Sequence, residues 1–179
     1  MLKKRDIHDC HSLYNFMQDP VVYPYVRHKC QSVEEYIFIT KQVIDEEEQK
    51  TCISRTILNE MGHPIGTIDL YHIVEHTGFL ATWIGAPYFG QGYNQRAKES
   101  FLAELFFEHQ IETVYMKIRK HNIRSKKAVE KLPYVKLTND TNHGVYQTIN
   151  PTEQIYDLYQ VERVDFLASS VDMHHVIAT

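Results

Sequence analysis

An apolar stretch, Phe79 to Ala86, runs directly into Pro87-Tyr88-Phe89-Gly90-Gln91-Gly92 and then into Ala97, Phe101, Leu102, Leu105 and Phe106. The first part has the composition of a strand. The last group recurs at the three- and four-residue intervals that a helix brings onto one face. A strand that turns through two glycines into an amphipathic helix, with a second apolar strand at Val114 to Ile118, must lie in a sheet covered by helices.

The rest of the chain extends this frame. Residues 1–7 read as a short edge strand, and Asp6 caps a helix through Leu13 and Phe16 that Asp19-Pro20 stops. Residues 20–30 form an aromatic connection with Pro24 fixing its backbone. Ser32-x-x-Glu35 is a capping box that opens a second helix through Tyr36, Ile37, Ile39 and Val43. Its acidic end, Asp45 to Glu48, opposes the helix dipole and is expected to fray. Strands follow at Thr51–Leu58 and Ile65–Val74 around the turn-rich NEMGHP. Beyond Ile118 come a helix from about Asn122 to Leu132, strands at Tyr134–Leu137 and Ile155–Val161, and a polar Asn/Thr/Gly loop between those two strands. Helices and strands in this order imply a mixed sheet.

At 179 residues, 43% hydrophobic and 23% charged, the chain is one folded domain rather than a disordered segment. The formal charge of −4 argues against a general nucleic-acid coat protein and makes nucleic acid an unlikely partner. No apolar run approaches a membrane span and no apolar core follows the basic MLKKR start, so a soluble cytoplasmic protein is expected. Cys10, Cys30 and Cys52 are too few and too scattered for a disulfide framework and read as reduced thiols. His8 and His11 share a helix face, yet no further ligands accompany them, so no metal is expected.

Two segments carry chemistry. Gly90 and Gly92, just ahead of a helix, can turn backbone N–H groups outward at the positive end of its dipole, a site for phosphate; the same glycines also suit a simple tight connection. The loop lacks the GxxxxGK[ST] of a P-loop and the third glycine of a dinucleotide fingerprint. Further on, Asn122 and Ser125 stand three apart at the start of a helix whose Ala128, Val129 and Leu132 continue inward. That pair reads either as an N-cap with its helix-start neighbour or as the polar mouth of a binding edge.

Together, WIGAPYFGQGYNQRAKESF (83–101) and VYMKIRKHNIRSKKAVEKLPYVKL (114–137), with DPVVYPYV and SVEEY upstream, resemble the GNAT superfamily of acetyl-CoA-dependent N-acetyltransferases. The likeness is strongest to the branch of the ribosomal-protein alanine and serine acetyltransferases, and it covers about residues 3–160. It implies an α+β fold: a mixed, mostly antiparallel seven-strand sheet flanked by helices on both faces, in α/β/α layers. It implies a GNAT domain over residues 1–161; residues 162–179 continue past the last strand as an extension whose role the sequence leaves open between a helix or strand that covers a sheet edge and a homodimer contact. It further implies that acetyl-CoA is the co-substrate, with no metal, and that a primary amine of a protein N-terminus or small molecule is the acceptor. The pantetheine arm would lie between two splayed parallel strands, Trp83, Ile84, Gly85 and Ala86 on one side and Val114 to Ile118 on the other. The pyrophosphate would rest on the N–H groups of Gly90, Gln91, Gly92, Tyr93, Asn94 and Gln95. Asn122 would bind the pantetheine arm and Ser125 would protonate the departing thiolate, which makes these two the expected catalytic residues. Lys117, Arg119, Lys120, Arg124, Lys126 and Lys127 would form a solvated face or attract the 3′-phosphate.

The sequence departs from that pattern in two places. Asn94 stands where a small residue is usual, and Phe79 stands where many relatives carry a glutamate base; phenylalanine accepts no proton. Asp69, His72, Glu75 and His76, or a water chain, are then the candidate bases, with His72 favoured by its ordinary pKa. For the acceptor groove the candidates are Tyr23, Tyr25 and Tyr36, with the Asp45–Glu48 run attracting cationic amines. A non-catalytic acyl-CoA-binding protein on the same fold is the alternative reading.

Overall fold

The computed structural model describes residues 1–169. Its centre is a seven-stranded sheet of β1 (Leu2–Lys4), β2 (Cys52–Leu58), β3 (Pro64–Val74), β4 (Thr77–Ile84), β5 (Thr113–Arg119), β6 (Lys136–Leu137) and β7 (Tyr156–Glu162). The spatial order is β1-β2-β3-β4-β5-β7-β6. Every adjacent pair is antiparallel except β4 with β5. The helices are α1 (Cys10–Met17), α2 (Val33–Glu48), α3 (Tyr93–Glu108), α4 (Ile123–Val129), α5 (His143–Ile149) and α6 (163–169).

Strand alternation divides the core into layers. Leu80 and Ile84 of β4, with Val114, Met116 and Ile118 of β5, point to the face where Phe101, Leu102, Leu105 and Phe106 of α3 pack. Trp83 faces the other way, onto Cys10, Leu13, Met17 and Tyr36 of α1 and α2. This is the expected α/β/α arrangement. Phe166 of α6 joins the α3 layer through ring contacts with Phe106 and Tyr134 at 5.4 and 5.0 Å. Residues 170–179, the rest of the expected extension, lie outside the described residues.

Local signals explain most element ends. The Asp6 carboxylate accepts the His8 N–H at 2.9 Å, opening a 3-10 turn that runs into α1. Ser32 Oγ accepts the Glu35 N–H at 3.2 Å, whereas the return arm of the box reaches one residue further back, to the Gln31 N–H at 2.7 Å.

Three expectations need correction. The acidic end of α2 does not fray: the helix continues through Glu48, because Glu47 accepts hydrogen bonds from buried Arg55 (2.8 Å) and from the Ser54 N–H (3.2 Å). β4 ends at Ile84, and Ala86–Tyr88 form a 3-10 turn. The polar loop after β6 contains α5, capped by Asn142 and tied to β7 by Asn150, whose side chain bonds Tyr156 at both its N–H and its carbonyl. Its Asn/Thr/Gly composition hides it, since those residues favour caps and turns when read singly.

Candidate active site

The parallel pair opens the fold. β4 and β5 are in register only at Thr77↔Thr113, Gly78↔Val114 and Phe79↔Tyr115. Beyond Phe79 the strands part, while β4 stays paired to β3 and β5 to β7. Leu80–Ile84 and Met116–Arg119 therefore flank a gap at the carboxyl ends of both strands. Two cavities meet there. One, of about 440 Å³, is walled by Trp83, Ile84, Gly90, Gly92 and the first residues of α3, with α4 opposite. The other, of about 540 Å³, lies toward the α1–α2 connection and is walled by β3, β4, β5 and β7. They share Tyr25, Thr82, Asn94, Lys98, Asn122 and Ser125.

The glycine loop leaves a run of backbone N–H groups free at the start of a helix. Gly90 and Gly92 have φ of +73° and +79°, where other L-residues are strained. Gly92 is the N-cap of α3, with no side chain closing the helix start. None of the six N–H groups from Gly90 through Gln95 donates to another group of the described chain; the first to do so is Arg96, to the Gly92 carbonyl at 3.1 Å. Six spare donors in sequence, at the positive end of a 16-residue helix, suit a pyrophosphate better than they suit a plain connection.

Of the residues expected to meet the co-substrate, Trp83, Ile84, Gly90, Gly92, Tyr93, Asn94, Gln95, Asn122 and Ser125 line the first cavity. Gln91 is exposed and its side chain turns away to the Pro87 carbonyl at 2.8 Å. Gly85 stands apart: it is buried, its N–H donates to the Ile65 carbonyl at 2.8 Å, and an added Cβ would meet the Phe16 ring at 2.8 Å. Asn122 does act as an N-cap, its Oδ1 accepting the Ser125 N–H at 3.2 Å, and the same two side chains face the cavities. The pair is thus an N-cap with its helix-start neighbour, placed on the wall of both cavities.

The basic run separates by geometry. Lys117 and Arg119, alternate residues of β5, face the second cavity and lie 5.5 and 5.9 Å from the Tyr156 ring. Arg124 and Lys127 border the first, with Arg124 stacked 3.9 Å over Phe89. Lys120 and Lys126 are paired with Asp157, which holds that carboxyl below its ordinary range despite partial burial.

The candidate bases separate as sharply. Phe79 is flanked by the rings of Tyr71 and Tyr115 at 6.0 and 5.5 Å. Buried Asp69 is bonded to Ser54 and faces Arg5 at 3.9 Å. Glu75 and His76 border a different cavity, where His76 bonds the Gln110 carbonyl at 3.0 Å. Only His72 of the four reaches the second cavity, from a bulge in β3 where its φ is +51°. In the expected acceptor groove, Tyr25 lines both cavities, but Tyr36 is buried against Arg5 and Glu47 is committed to Arg55. The Asp45–Glu48 run does not border the gap.

Two residues were missed in the sequence. Lys98 is only 6% exposed, its ammonium bonds the Asn94 side chain, and burial pushes its pKa down to about 8. The signal was its spacing: Lys98 precedes Phe101 and Leu102 by three and four, on the inward face. His28 is pushed down to about 4, first by burial and then by Arg27, so it is neutral near pH 7, and its Nε2 is buried without a partner.

An open α/β/α sheet whose one parallel pair parts beside an uncapped helix start defines a class, the acyl-transfer fold that the sequence resembles. The chain belongs to the GNAT acetyltransferase family: the family model described as an acetyltransferase (GNAT) domain matches residues 1–135. Members of that family use acetyl-CoA as co-substrate, and the chain is an acyltransferase of this type. Among solved structures, a variant of the spermidine N-acetyltransferase SpeG from Vibrio cholerae is similar, with 14% identity over 95% of this chain and 99% of that one and a TM-score of 0.71. A Vibrio cholerae protein assigned as a ribosomal-protein-serine acetyltransferase has 13% identity over 90% and 92% of the two chains, at a TM-score of 0.70. The nucleotide-linked sugar GNAT FdhC has 12% identity over 97% and 92%, at a TM-score of 0.76. No curated protein sequence matches. Among the described residues no helix is long and apolar enough to cross a membrane.

Proposed function

We propose that this chain moves an acetyl group from acetyl-CoA to a primary amine by direct attack within a ternary complex. The observation that carries this reading is the run of six unbonded N–H groups, Gly90 to Gln95, at the mouth of the gap between β4 and β5. Pyrophosphate on those donors leads the pantetheine arm past Trp83 and Ile84 to the junction of the two cavities, and the amine enters from the second. Acetyl-CoA supplies an activated acyl carbon; transfer forms a C–N bond and breaks the C–S bond. Ser125, which borders both cavities, donates a proton to the departing sulfur. Asn122 keeps its amide N–H₂ for the arm while its oxygen caps α4. His72 stands on the amine side to take up its proton. Holding amine and acyl carbon at about 3–3.5 Å contributes to the rate by turning a bimolecular encounter into an intramolecular step.

Titration calorimetry with acetyl-CoA and with desulfo-coenzyme A, followed by thiol release with a panel of amines, tests the reading. Micromolar binding with turnover of at least one amine supports it; absence of binding rejects it. The packing of Phe79 between two tyrosine rings favours one rival, a non-catalytic acyl-CoA-binding protein. Binding without thiol release from any amine would establish that rival.

A further inference from the structure

The chain carries a formal charge of −4, yet the second cavity is walled by five lysines and arginines, Arg27, Lys29, Lys98, Lys117 and Arg119, and by no aspartate or glutamate. Among the described residues none of the five lies within 4.0 Å of a carboxylate. Lys29, Lys117 and Arg119 are exposed and solvated, whereas Arg27 is half-buried and Lys98 buried, and these two contrast with the buried cations that this fold pairs with carboxylates. Arg55 is held between Glu47 and Glu104, and Arg5 faces Asp69. In the cavity the cations rest on aromatic rings instead, Arg27 at 4.5 Å from Tyr71 and Lys117 at 5.5 Å from Tyr156. Arg27 keeps Nε and Nη2 buried with no hydrogen-bond partner. Unpaired buried donors of this kind are costly and recur where a ligand completes them.

Phosphates of coenzyme A do not account for this charge. The first cavity has its own donors in the loop N–H groups and its own cations in Arg124, Lys127 and Lys131. Only Lys98 is common to both. Arg27, Lys29, Lys117 and Arg119 stand on the amine side alone.

We infer that the acceptor is a small amine that also carries a negative group, phosphate or carboxylate, bound by Arg27, Lys117 and Arg119, and not a polyamine. This rests on the reading of the chain as an acetyltransferase and narrows its substrate class. A guanidinium fork gives two parallel hydrogen bonds to a pair of oxygens on either anion, and a phosphate monoester brings close to two charges. The cavity, about 540 Å³, holds a sugar-sized molecule. A polyamine would bring positive charge into a wall that has no carboxylate to receive it.

The test is calorimetric, on full-length protein saturated with desulfo-coenzyme A, so that it reads binding without requiring turnover. Two matched pairs distinguish the anion: glucosamine against glucosamine 6-phosphate, and alaninamide against aspartic acid α-amide; spermidine is the fifth ligand. The charged member of at least one pair should bind tenfold or more tightly, with the preference shrinking between 50 and 200 mM salt. In an Arg27→Gln, Lys117→Gln variant the preference should fall below threefold, circular dichroism reporting that the variant is folded. Equal affinities within both pairs, tighter binding of spermidine, or no binding by any of the five overturns the inference. Thiol release assays on the same compounds separate the two claims. Charge preference without release keeps the anion site as a ligand site and removes both the transferase reading and the ligand's role as acceptor, whereas release indifferent to charge keeps the transferase reading and removes the anion site.

Discussion

Replacing Lys98 by methionine should make the protein more stable and less active. Lys98 lies on the inner face of α3, 6% exposed, bonded only to Asn94, and its pKa falls from 10.5 to about 8 because burial disfavours the charged form. At 1.36 kcal/mol for each pH unit, that fall makes the folded ammonium about 3 kcal/mol less favourable than the same group in water. Below about pH 8 both folded and unfolded chains hold the proton, so the whole penalty is present. Between about pH 8 and 10.5 the unfolded chain binds more protons, and wild-type stability climbs with pH; above 10.5 the penalty is gone. Methionine keeps the unbranched stem and the helix propensity and removes the charge. Urea unfolding at pH 7 should therefore show the Lys98→Met variant more stable by about 3 kcal/mol, narrowing to under about 1 kcal/mol at pH 10. For a domain of this size the melting point at pH 7 should rise by about 6–12 °C. Thiol release should fall at least about tenfold, since the charge retained at this cost borders both cavities. A variant no more stable than wild type at pH 7, or a stability gap that does not narrow as the pH rises, would refute the reasoning.

Other perturbations test separate parts of the site. Gly92→Val puts a branched side chain at φ +79° where the phosphate would approach; its Cβ meets only Arg96 Nη1 at 3.9 Å, so the chain should fold with a loss of about 1–2 kcal/mol while calorimetry shows no acetyl-CoA binding. Ser125→Ala should lower kcat by about a hundredfold and leave KM for acetyl-CoA within about threefold, as expected of a proton donor to the leaving group; an unchanged kcat would reduce Ser125 to a helix residue. Arg55→Ala leaves Glu47 and Glu104 without their shared partner and should cost about 3 kcal/mol in denaturant unfolding, with no shift in acetyl-CoA affinity.

Much of this protein was legible from local pattern. Residues that recur every two or every three to four positions report their own secondary structure, so the strands, α1 to α4 and the mixed order of the sheet were visible. The glycine loop was visible too, because positive φ and spare N–H groups at a helix start are properties of a short contiguous segment. α5 escaped because its Asn, Thr and Gly residues favour turns, and it is held by long-range bonds from Asn150 to Tyr156 and from Asn142 to Tyr115.

What side chains share a cavity is a different kind of information. The basic run 117–127 looks uniform along the chain. Strand alternation sends Lys117 and Arg119 to the second cavity, α4 turns Arg124 and Lys127 toward the loop, and Asp157 of β7 claims Lys120 and Lys126. Asp69, Glu75 and His76 are sequence neighbours of His72, yet pairing register and partners from distant elements remove all three from the gap. Lys98 has inward-face spacing in the sequence, but that it borders both cavities is decided only when α3 packs on the sheet. Periodicity is local and survives in the sequence by itself; proximity depends on which strands pair, in what register, and where one pair stops, and only the folded chain decides that.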